Sequence, residues 1–300
     1  MDDVRDRDHV VICGWNENGL ELINNMQFDF KPRIPVMVLV NELTREDVDA
    51  IIYRFPEISF RYVRGNFTKE EILARANIKK ARAAVVLADI ASGHPLEKAD
   101  ERTIFACLAI KSMAPKVKTC AELRNSENRE HLKRAKVDEI VVRGEYNAAI
   151  LAGAAANTGL SVIMKKMMDV DEPNKLWRIK VPEKYIGRTV GELSEHIHQK
   201  YCGLLLALTT ETSPMRLEDI LSTDATAIDA FIKRKFEESG KDFFSGGKAR
   251  VSTQLNPSRD YVLTKHDYAI VISATRPVDV SILDKSIVDL VTETVRAEVK

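Results

Sequence analysis

Short β-branched runs alternate with helical patterns from residue 8 to about residue 142. This alternation is typical of a parallel sheet wrapped by helices. Several of the runs are apolar almost throughout, as in strands that are buried on both faces. The predicted strands are 9–13, 35–40, 59–63, 83–87, 117–121 and 139–142. The first half of the chain is therefore predicted to be an α/β domain with a doubly wound parallel sheet.

Helices are predicted between these strands, beginning near Asn18, Thr44, Thr68, Asp100 and Ser126. The segments 44–47 and 68–71 each begin with a threonine and continue with acidic residues. Threonine at the N-cap and carboxylates in the first turn both stabilise the free amides of a helix start. Both segments are therefore predicted to be capped N-termini.

Segment 145–168 is built largely from small residues and is interrupted at 157–159. It is predicted to be a helix-turn-helix whose small side chains let another backbone approach closely. A grip on a neighbouring subunit is the favoured interpretation, and a tightly packed internal helix is the alternative. The polar segment 169–174 contains a proline and is predicted to be a linker.

The second half is predicted to be a smaller α+β unit. Its predicted strands are 177–181, 203–208, 261–263 and 269–273, with a helix at 190–197. Residues 211–257 interrupt this rhythm and are interpreted as an insertion that contains a helix at 228–238 and a loop at 245–247. An amphipathic helix is predicted at 281–298. The proposed domains are thus 1–143, a crossover and linker at 144–174, and 175–300.

The balance of charge argues against a polyanionic partner. The 300 residues carry 45 Lys and Arg against 45 Asp and Glu, so the formal net charge is zero and no nucleic acid is expected to bind. The four cysteines form no CxxC motif, and buried thiols are favoured over disulfides or zinc. Neither a secretory signal nor a membrane-spanning stretch is apparent, which predicts a cytoplasmic chain.

The turn after the first strand carries the candidate chemistry. It consists of Gly14, Trp15, Asn16, Glu17, Asn18 and Gly19, and a helix follows. A Rossmann domain keeps its GxGxxG motif at this place, where the helix N-terminus favours a pyrophosphate. Asn16 stands where the middle glycine is expected, so the nucleotide is either displaced slightly or absent.

The end of the second strand supplies a candidate ribose contact. Asn41 and Glu42 follow that strand, about 20 residues beyond the glycine turn. A carboxylate there accepts hydrogen bonds from both ribose hydroxyls and disfavours a 2′-phosphate. NAD or an adenine nucleotide is therefore favoured over NADP.

Several segments together resemble the RCK domain, the regulator of potassium conductance found in prokaryotic potassium channels and in Trk and Ktr transporters. The resemblance rests on RDHVVICGW at 7–15, VRGNFT at 63–68, ANIKKARA at 76–83, TIFACLAIK at 103–111, GRTVGEL at 187–193 and PSRDYVLTKHD at 257–267. The last two segments look like the C-terminal RCK subdomain. The first strand is similar to those of members attached to a channel.

The resemblance implies a ligand-sensing gating domain for a potassium channel. In such an assembly, dimers build an octameric ring at the inner face of the membrane, and ligand binding in the Rossmann clefts opens or closes the pore. The pore domain is then expected in the same full-length polypeptide. Segment 145–168 would be the crossover exchanged between partners, and the helix at 100–113 would join neighbouring dimers.

The resemblance also implies ligand contacts outside the glycine turn. Gly65 and Asn66 occupy the place of a Gly-Asp pair that often contacts adenosine. Asp89 and Glu122 match loosely the carboxylates of calcium-gated members, and both are candidate nucleotide contacts as well. One acidic position that the resemblance leads us to expect is uncharged, near Thr119 and Cys120, which depletes the calcium site. Asp100, in the acidic start of the predicted helix, could compensate, so Asp89, Glu122 and Asp100 are the candidate Ca²⁺ ligands.

Two other functions compete with the channel domain. A Rossmann half followed by a second α/β half is also the plan of an NAD-dependent oxidoreductase. No catalytic pair can be placed beside a nicotinamide, however, so the chain is predicted not to be an enzyme. A detached regulatory subunit of a Trk or Ktr potassium transporter is the nearer alternative.

Overall fold

The computed structural model describes residues 3–30, 33–91, 93–212 and 250–277. The chain divides into two compact units, Met1–Ser161 and Val162–Lys300. This division falls within the segment 144–174 that was predicted to connect the domains. The helices predicted at 228–238 and 281–298 and the loop predicted at 245–247 lie outside the described residues.

The first unit contains a six-stranded parallel sheet in the order β3-β2-β1-β4-β5-β6. Its strands are β1 (Val10–Cys13), β2 (Met37–Asn41), β3 (Phe60–Arg64), β4 (Ala83–Val86), β5 (Lys118–Leu123) and β6 (Glu139–Val142). This is the strand order of a Rossmann fold, with the switch point between β1 and β4. The prediction of a Rossmann-like doubly wound sheet is confirmed.

Five helices connect these strands: α1 (Gly19–Asp29), α2 (Arg45–Arg54), α3 (Glu70–Arg75), α4 (Ala99–Met113) and α5 (Arg129–Arg134). The predicted cap of α2 is confirmed, because the Thr44 side chain accepts a hydrogen bond from the Asp47 amide at 3.2 Å. The predicted cap at Thr68 is wrong. The N-cap of α3 is Lys69, and the Thr68 hydroxyl donates to Asn66 instead.

The two faces of the sheet are covered by separate apolar clusters. Along β1, Val11 and Cys13 lie in one cluster while Val10 and Ile12 lie in the other, and all four side chains are fully buried. This pattern explains why the strand is apolar at every position rather than at every second one. Burial of each valine or isoleucine of this strand contributes about 1.5–3 kcal/mol, so the sheet is a stable base for the loops at its edge.

Helices α6 (Asn147–Ala156) and α7 (Leu160–Met168) follow β6. Neither helix contains a buried residue. Apolar side chains are exposed along both: Leu151 is 70% exposed and Ile163 57%. The helix-turn-helix prediction is confirmed, whereas the alternative of a tightly packed internal helix is wrong.

The second unit contains a four-stranded sheet of antiparallel pairs in the order β7-β10-β8-β9. The strands are β7 (Lys175–Lys180), β8 (Leu204–Thr212), β9 (Arg250–Leu255) and β10 (Asp267–Ser273), and α8 (Val190–Tyr201) packs on the sheet through Leu193 and Ile197. The smaller α+β unit is confirmed.

Two details of the second unit differ from prediction. Residues 261–263 form only an isolated bridge between Val262 and Thr189 rather than a strand. The predicted insertion at 211–257 is too long, because β8 continues into it and β9 lies in its C-terminal part, paired with β8. Alternation in β9 is weak, since its residues read RVSTQL, and this hid the strand.

The cysteines also differ from expectation in part. Cys13 and Cys107 are buried, and burial raises the pKa of Cys107 to about 12. Cys120 is half-buried and Cys202 is exposed, so the prediction of four buried thiols is wrong. Cys202 ends α8 in a left-handed conformation. None of the helices among the described residues is long and apolar enough to cross a bilayer.

Gly14 combines a left-handed backbone with a close backbone neighbour. Its φ is +76°, and a Cβ there would lie 2.9 Å from the Leu87 carbonyl oxygen. Gly93 has a similar φ of +72° but open space around it. We expect Gly93→Ala to cost about 1–2 kcal/mol for the left-handed conformation alone. Gly14→Ala should cost about 1–3 kcal/mol more because of the steric clash.

Urea denaturation followed by circular dichroism measures both variants against the wild type. Equal losses in the two variants would contradict a close approach of β4 to the glycine turn.

Candidate functional site

The residues singled out by sequence gather at one edge of the first sheet. The turn Gly14–Gly19 follows β1, Asn41 and Glu42 follow or end β2, Asp89 follows β4, and Glu122 lies near the end of β5. Because all six strands are parallel, their carboxyl ends share this edge. In open α/β sheets, ligands bind in the crevice outside these ends, at the switch point.

The Trp15 side chain of the glycine turn packs against Gly19 at the other end of the turn. A Cβ on Gly19 would lie 2.7 Å from the indole ring of Trp15, so only glycine lets the ring lie against the first turn of α1. Trp15 is 9% exposed and belongs to the apolar cluster on the α1 side of the sheet. Gly14 therefore allows a backbone conformation that other residues rarely adopt, and Gly19 allows the close contact with Trp15.

Asn16 connects the turn to the chain at the ends of β4 and β5. Its Nδ2 donates to the Ala88 carbonyl at 3.0 Å and to Oε2 of Glu122 at 2.6 Å. Its Oδ1 accepts from the Asn18 amide at 3.0 Å, at the start of α1. An oxygen of the protein thus occupies one amide of the helix N-terminus that a phosphate would otherwise use.

Glu122 is the second part of this anchor. Its Oε2 also accepts from the Ala88 amide at 3.0 Å, and its Oε1 lies 3.3 Å from Nε of Arg143. Arg143 also bonds to Glu17 on the turn, and that hydrogen bond holds the pKa of Glu17 below its ordinary value. Arg143 therefore compensates two carboxylates at once.

The Glu42 carboxylate contacts two side chains of the same unit, those of Arg102 and His94. Its Oε2 lies 2.9 Å from Nη2 of Arg102 and 3.0 Å from Nε2 of His94. Partial burial opposes ionisation of Glu42, but the hydrogen bonds from His94 and Arg102 outweigh it and lower the pKa of the carboxyl. The group is one-third exposed and ionised at neutral pH, as a ribose contact requires.

Asp89 completes the network across β1. It is fully buried, and its Oδ1 accepts from the Trp15 amide at 3.1 Å. Its Oδ2 lies 3.1 Å from the same Nη2 of Arg102 that binds Glu42. The Arg102 guanidinium carbon lies 4.8 Å from the centre of the Phe67 ring, so the arginine is also stacked on an aromatic face.

The remaining predicted residues have structural roles. Asn66 Oδ1 accepts from the amide and the hydroxyl of Thr68, while the Gly65 amide donates to the Asn41 carbonyl in line with the sheet. Asn41 is fully buried, and its Nδ2 has no hydrogen-bond partner among the described residues. That donor is aimed at no protein acceptor, which is compatible with an acceptor on a ligand.

The proposed calcium ligands do not come together. Asp100 accepts from the amides of Arg124 and Asn125 and from the Asn128 side chain at 2.8–2.9 Å, so it caps the chain after β5. Asp89 is engaged by Arg102, and Glu122 by Asn16 and Arg143. Among the residues that the structure describes, no group of three or more His, Cys, Asp or Glu could hold a metal.

Sequence reasoning missed the cations of this site. Arg102, His94 and Arg143 all bond to residues that were singled out, yet none lies in a recognisable motif. The available signal was electrostatic: Glu17, Glu42, Asp89 and Glu122 were all placed at one sheet edge, and carboxylates that are wholly or partly buried require compensation. Which basic residues would supply it depends on α4 and on the chain after β6, and their tertiary positions are not readable from spacing.

Comparison with known proteins gives a family for the first unit. Residues 10–143 match the family described as the TrkA-N domain. Over 239 residues the chain is 23% identical to the protein named calcium-gated potassium channel TvoK of Thermoplasma volcanium, covering 78% of this chain and 66% of the relative. Over 140 residues it is 24% identical to the putative potassium channel protein YugO of Bacillus subtilis, covering 47% of this chain and 39% of the relative.

The chain thus spans just under two thirds of the first relative and well under half of the second. Among solved structures, the human SLO3 gating ring is similar with a TM-score of 0.57 and 15% identity. That likeness covers 89% of this chain and 44% of the other. At this identity the likeness concerns the fold alone, and it extends over both units of the chain.

The contact between Asn16 and Glu122 can be tested by a single substitution that replaces the amide with a carboxylate. In Asn16→Asp, a carboxylate oxygen would face Glu122 where an amide now donates at 2.6 Å. The two acids cannot both ionise cheaply, so the folded state raises one pKa above its unfolded value. The penalty is present in full above that raised pKa and fades as the pH falls towards the unfolded value near 4.

We expect Asn16→Asp to lose roughly 2–4 kcal/mol of stability at pH 8 and clearly less at pH 5. Denaturation at the two pH values measures the difference. Asn18→Asp is the matched control, because its exposed side chain lies at the N-terminus of α1, where a negative charge is tolerated. A pH-independent loss in Asn16→Asp would argue against the Glu122 contact.

Proposed function

Because residues 10–143 belong to the TrkA-N domain family, we propose that this chain is the cytosolic ligand-sensing gating domain of a potassium channel. Two relatives are named as potassium channels, and a third protein of similar fold is a gating ring. The chain spans only part of each of these proteins. A pore domain in the same full-length polypeptide is therefore part of the proposal.

The ligand of the cleft is proposed to be NAD or an adenine nucleotide. The observation that carries this proposal is the ionised Glu42 carboxylate at the end of β2, placed beside the glycine turn at the switch point. A carboxylate in this position suits the two hydroxyls of a ribose, and the start of α1 suits phosphate oxygens. The Asn41 side-chain nitrogen, which has no hydrogen-bond partner in the described part of the chain, adds a donor at the same strand end.

Ligand binding is proposed to cause movement rather than chemistry. A ligand shifts a two-state equilibrium only through different affinities for the two states. Dimers would form through the exposed apolar side chains of α6 and α7, and neighbouring dimers would meet at Phe105 and Leu108 of α4, which are 58% and 47% exposed. Four such dimers would make the octameric ring at the inner face of the membrane. Steady turnover of NADH with carbonyl compounds would contradict a purely regulatory role.

Calcium stays a prediction for this chain. The relative from Thermoplasma volcanium is named calcium-gated, which supports a test. The carboxylates of the described cleft, in contrast, are engaged by arginines, amides and Asn16. Adding calcium in the presence and absence of nucleotide, with the melting temperature as readout, separates an effect on the free chain from an effect on the complex.

Isothermal calorimetry with ADP, ATP and NAD tests the nucleotide proposal, and Glu42→Gln is its decisive variant. The amide keeps the shape of the side chain but loses the charge, so a hydroxyl bond to an ionised acceptor is replaced by a neutral one. We expect the affinity to fall roughly tenfold, equivalent to about 1.4 kcal/mol.

Glu139→Gln is the matched control. Glu139 is exposed and begins β6, so it lies at the opposite edge of the sheet. Loss of affinity in both variants would point to a general electrostatic effect, and no loss in Glu42→Gln would mean that the ribose lies elsewhere.

The assembly proposal is tested on α6. Leu151→Glu places a charge on a side chain that is 70% exposed in the single chain and buried in the proposed dimer. We expect the variant to shift to a lower mass in light scattering, whereas the wild type gives a multiple of 33.8 kDa. Asn157→Glu, at a polar exposed position between α6 and α7, should leave the mass unchanged. A monomeric wild type would contradict the assembly.

A further inference from the structure

Resting on the proposed nucleotide function, we propose that Arg102 is a built-in competitor for the ribose position, which the ligand displaces from Glu42 when it binds. The side chain comes from the first turn of α4 and is only 10% exposed. Its Nη2 donates at once to Glu42 and to Asp89, at 2.9 and 3.1 Å. A single nitrogen thus links the ends of two different strands.

The strand order fixes where that nitrogen lies. Glu42 follows β2 and Asp89 follows the end of β4, and β1 lies between these strands in the sheet. Neighbouring strands are about 4.8 Å apart, so β2 and β4 are separated by roughly 10 Å. A nitrogen within hydrogen-bond distance of both carboxylates must therefore lie over the end of β1, where Gly14 begins the turn. This is the space that a ribose bound to Glu42 would enter.

Contacts around Gly14 agree with this placement. A Cβ on Gly14 would lie 3.1 Å from Cβ of Asp89 and 3.3 Å from the Phe67 ring. Phe67 is the ring on which the Arg102 guanidinium stacks. Gly14, Asp89, Phe67 and Arg102 therefore form one packed group at the switch point.

The Arg102 contacts and a ribose compete for the same acceptor. The Glu42 oxygen that Arg102 uses is also bound by His94, so two donors of the protein already occupy it. A hydrogen bond between two charged groups is stronger than one from a neutral hydroxyl. A ribose that takes over Glu42 must offset the loss of the Arg102 contact, and this lowers the apparent affinity.

The arginine is not fully satisfied in its present position. Its Nε is buried without a hydrogen-bond partner among the described residues, which costs free energy. An arginine with an unmade bond is held less firmly than one with every donor paired. Displacement from Glu42 would leave Arg102 paired with Asp89 and would change the contacts of the first turn of α4. Ligand binding and α4 would thereby be coupled.

The test compares ADP binding by the wild type, Arg102→Gln and Arg54→Gln in calorimetry. Glutamine at position 102 removes the positive charge that faces Glu42 and keeps a polar side chain beside Asp89. Arg54 is exposed in the last turn of α2, so Arg54→Gln controls for the loss of one positive charge. We expect Arg102→Gln to bind ADP roughly tenfold more tightly than the wild type, and Arg54→Gln to bind equally or slightly less tightly.

His94→Gln is a second variant that leaves no buried charge behind, because the side chain of His94 is 36% exposed. It removes one of the two donors on the same Glu42 oxygen, and we expect a smaller gain, about twofold to threefold. Circular dichroism checks that each variant is folded. If Arg102→Gln does not fold, the affinity of His94→Gln for ADP still tests the proposal, and an unchanged or lower affinity would contradict it.

Hydrogen exchange gives a readout that affinity alone does not. ADP should accelerate amide exchange in the second turn of α4, where the N–H groups have helical acceptors, in the wild type. Arg102→Gln should show the faster exchange without ADP. Equal or weaker binding by Arg102→Gln, or slower exchange with ADP in the wild type, would overturn the proposal. Binding by Arg102→Gln but not by the wild type would overturn the displacement, because ADP would then not reach Glu42 while Arg102 is present. No binding by any chain would overturn both this proposal and the proposed function.

Discussion

Compensation of carboxylates at one edge of the parallel sheet is the constraint on which the rest of the site depends. Glu17, Glu42, Asp89 and Glu122 lie there, and Asp89 is fully buried. An isolated carboxylate in such a place would be costly, and two arginines remove the cost by bonding to two carboxylates each. Each arginine also joins parts of the chain that no strand pairing connects.

The replacement of the middle glycine by Asn16 belongs to the same system. A glycine there would leave Glu122 and the Ala88 carbonyl without the amide that now satisfies them. Asn16 therefore fixes the distance between the turn and β5, and its side chain takes up some of the space that a phosphate would use. The anion site at the start of α1 is narrowed, because the Asn16 side chain accepts from the Asn18 amide and the Asn16 carbonyl accepts from the Gly19 amide, each at 3.0 Å.

The sequence was sufficient for the sheet and its strand order, because near-continuous apolar runs such as 9–13 and 35–40 permit few alternatives. It was insufficient where patterns are weak. In β9, polar residues alternate poorly, so the strand was interpreted as part of an insertion. At Thr68 the threonine and two acids imitate a cap, but Asn66 already accepts from Thr68 and the helix begins later.

The site was predicted only as far as strand ends determine it. Glu42 and Asp89 could be placed because each follows a buried strand directly. Arg102 could not, because its position depends on the rotation of α4 against the sheet and not on any spacing in the chain. Asp100, two residues earlier, was assigned to calcium for its charge, although its oxygens bind the backbone after β5.

Arg143 connects the glycine turn to the segment between β6 and α6. It follows β6 immediately and precedes α6, so it lies where the chain leaves the sheet. Its partners are Glu17 on the glycine turn and Glu122 at β5. A displacement of the turn therefore changes the contacts of the segment that leads into the exposed apolar helices.

Arg102 gives a second connection between the cleft and an exposed apolar surface, from the end of β1 into α4. Both connections begin at the switch point and end at surfaces that expose apolar side chains, which is the arrangement a sensor needs if binding at the cleft is to alter contacts between subunits.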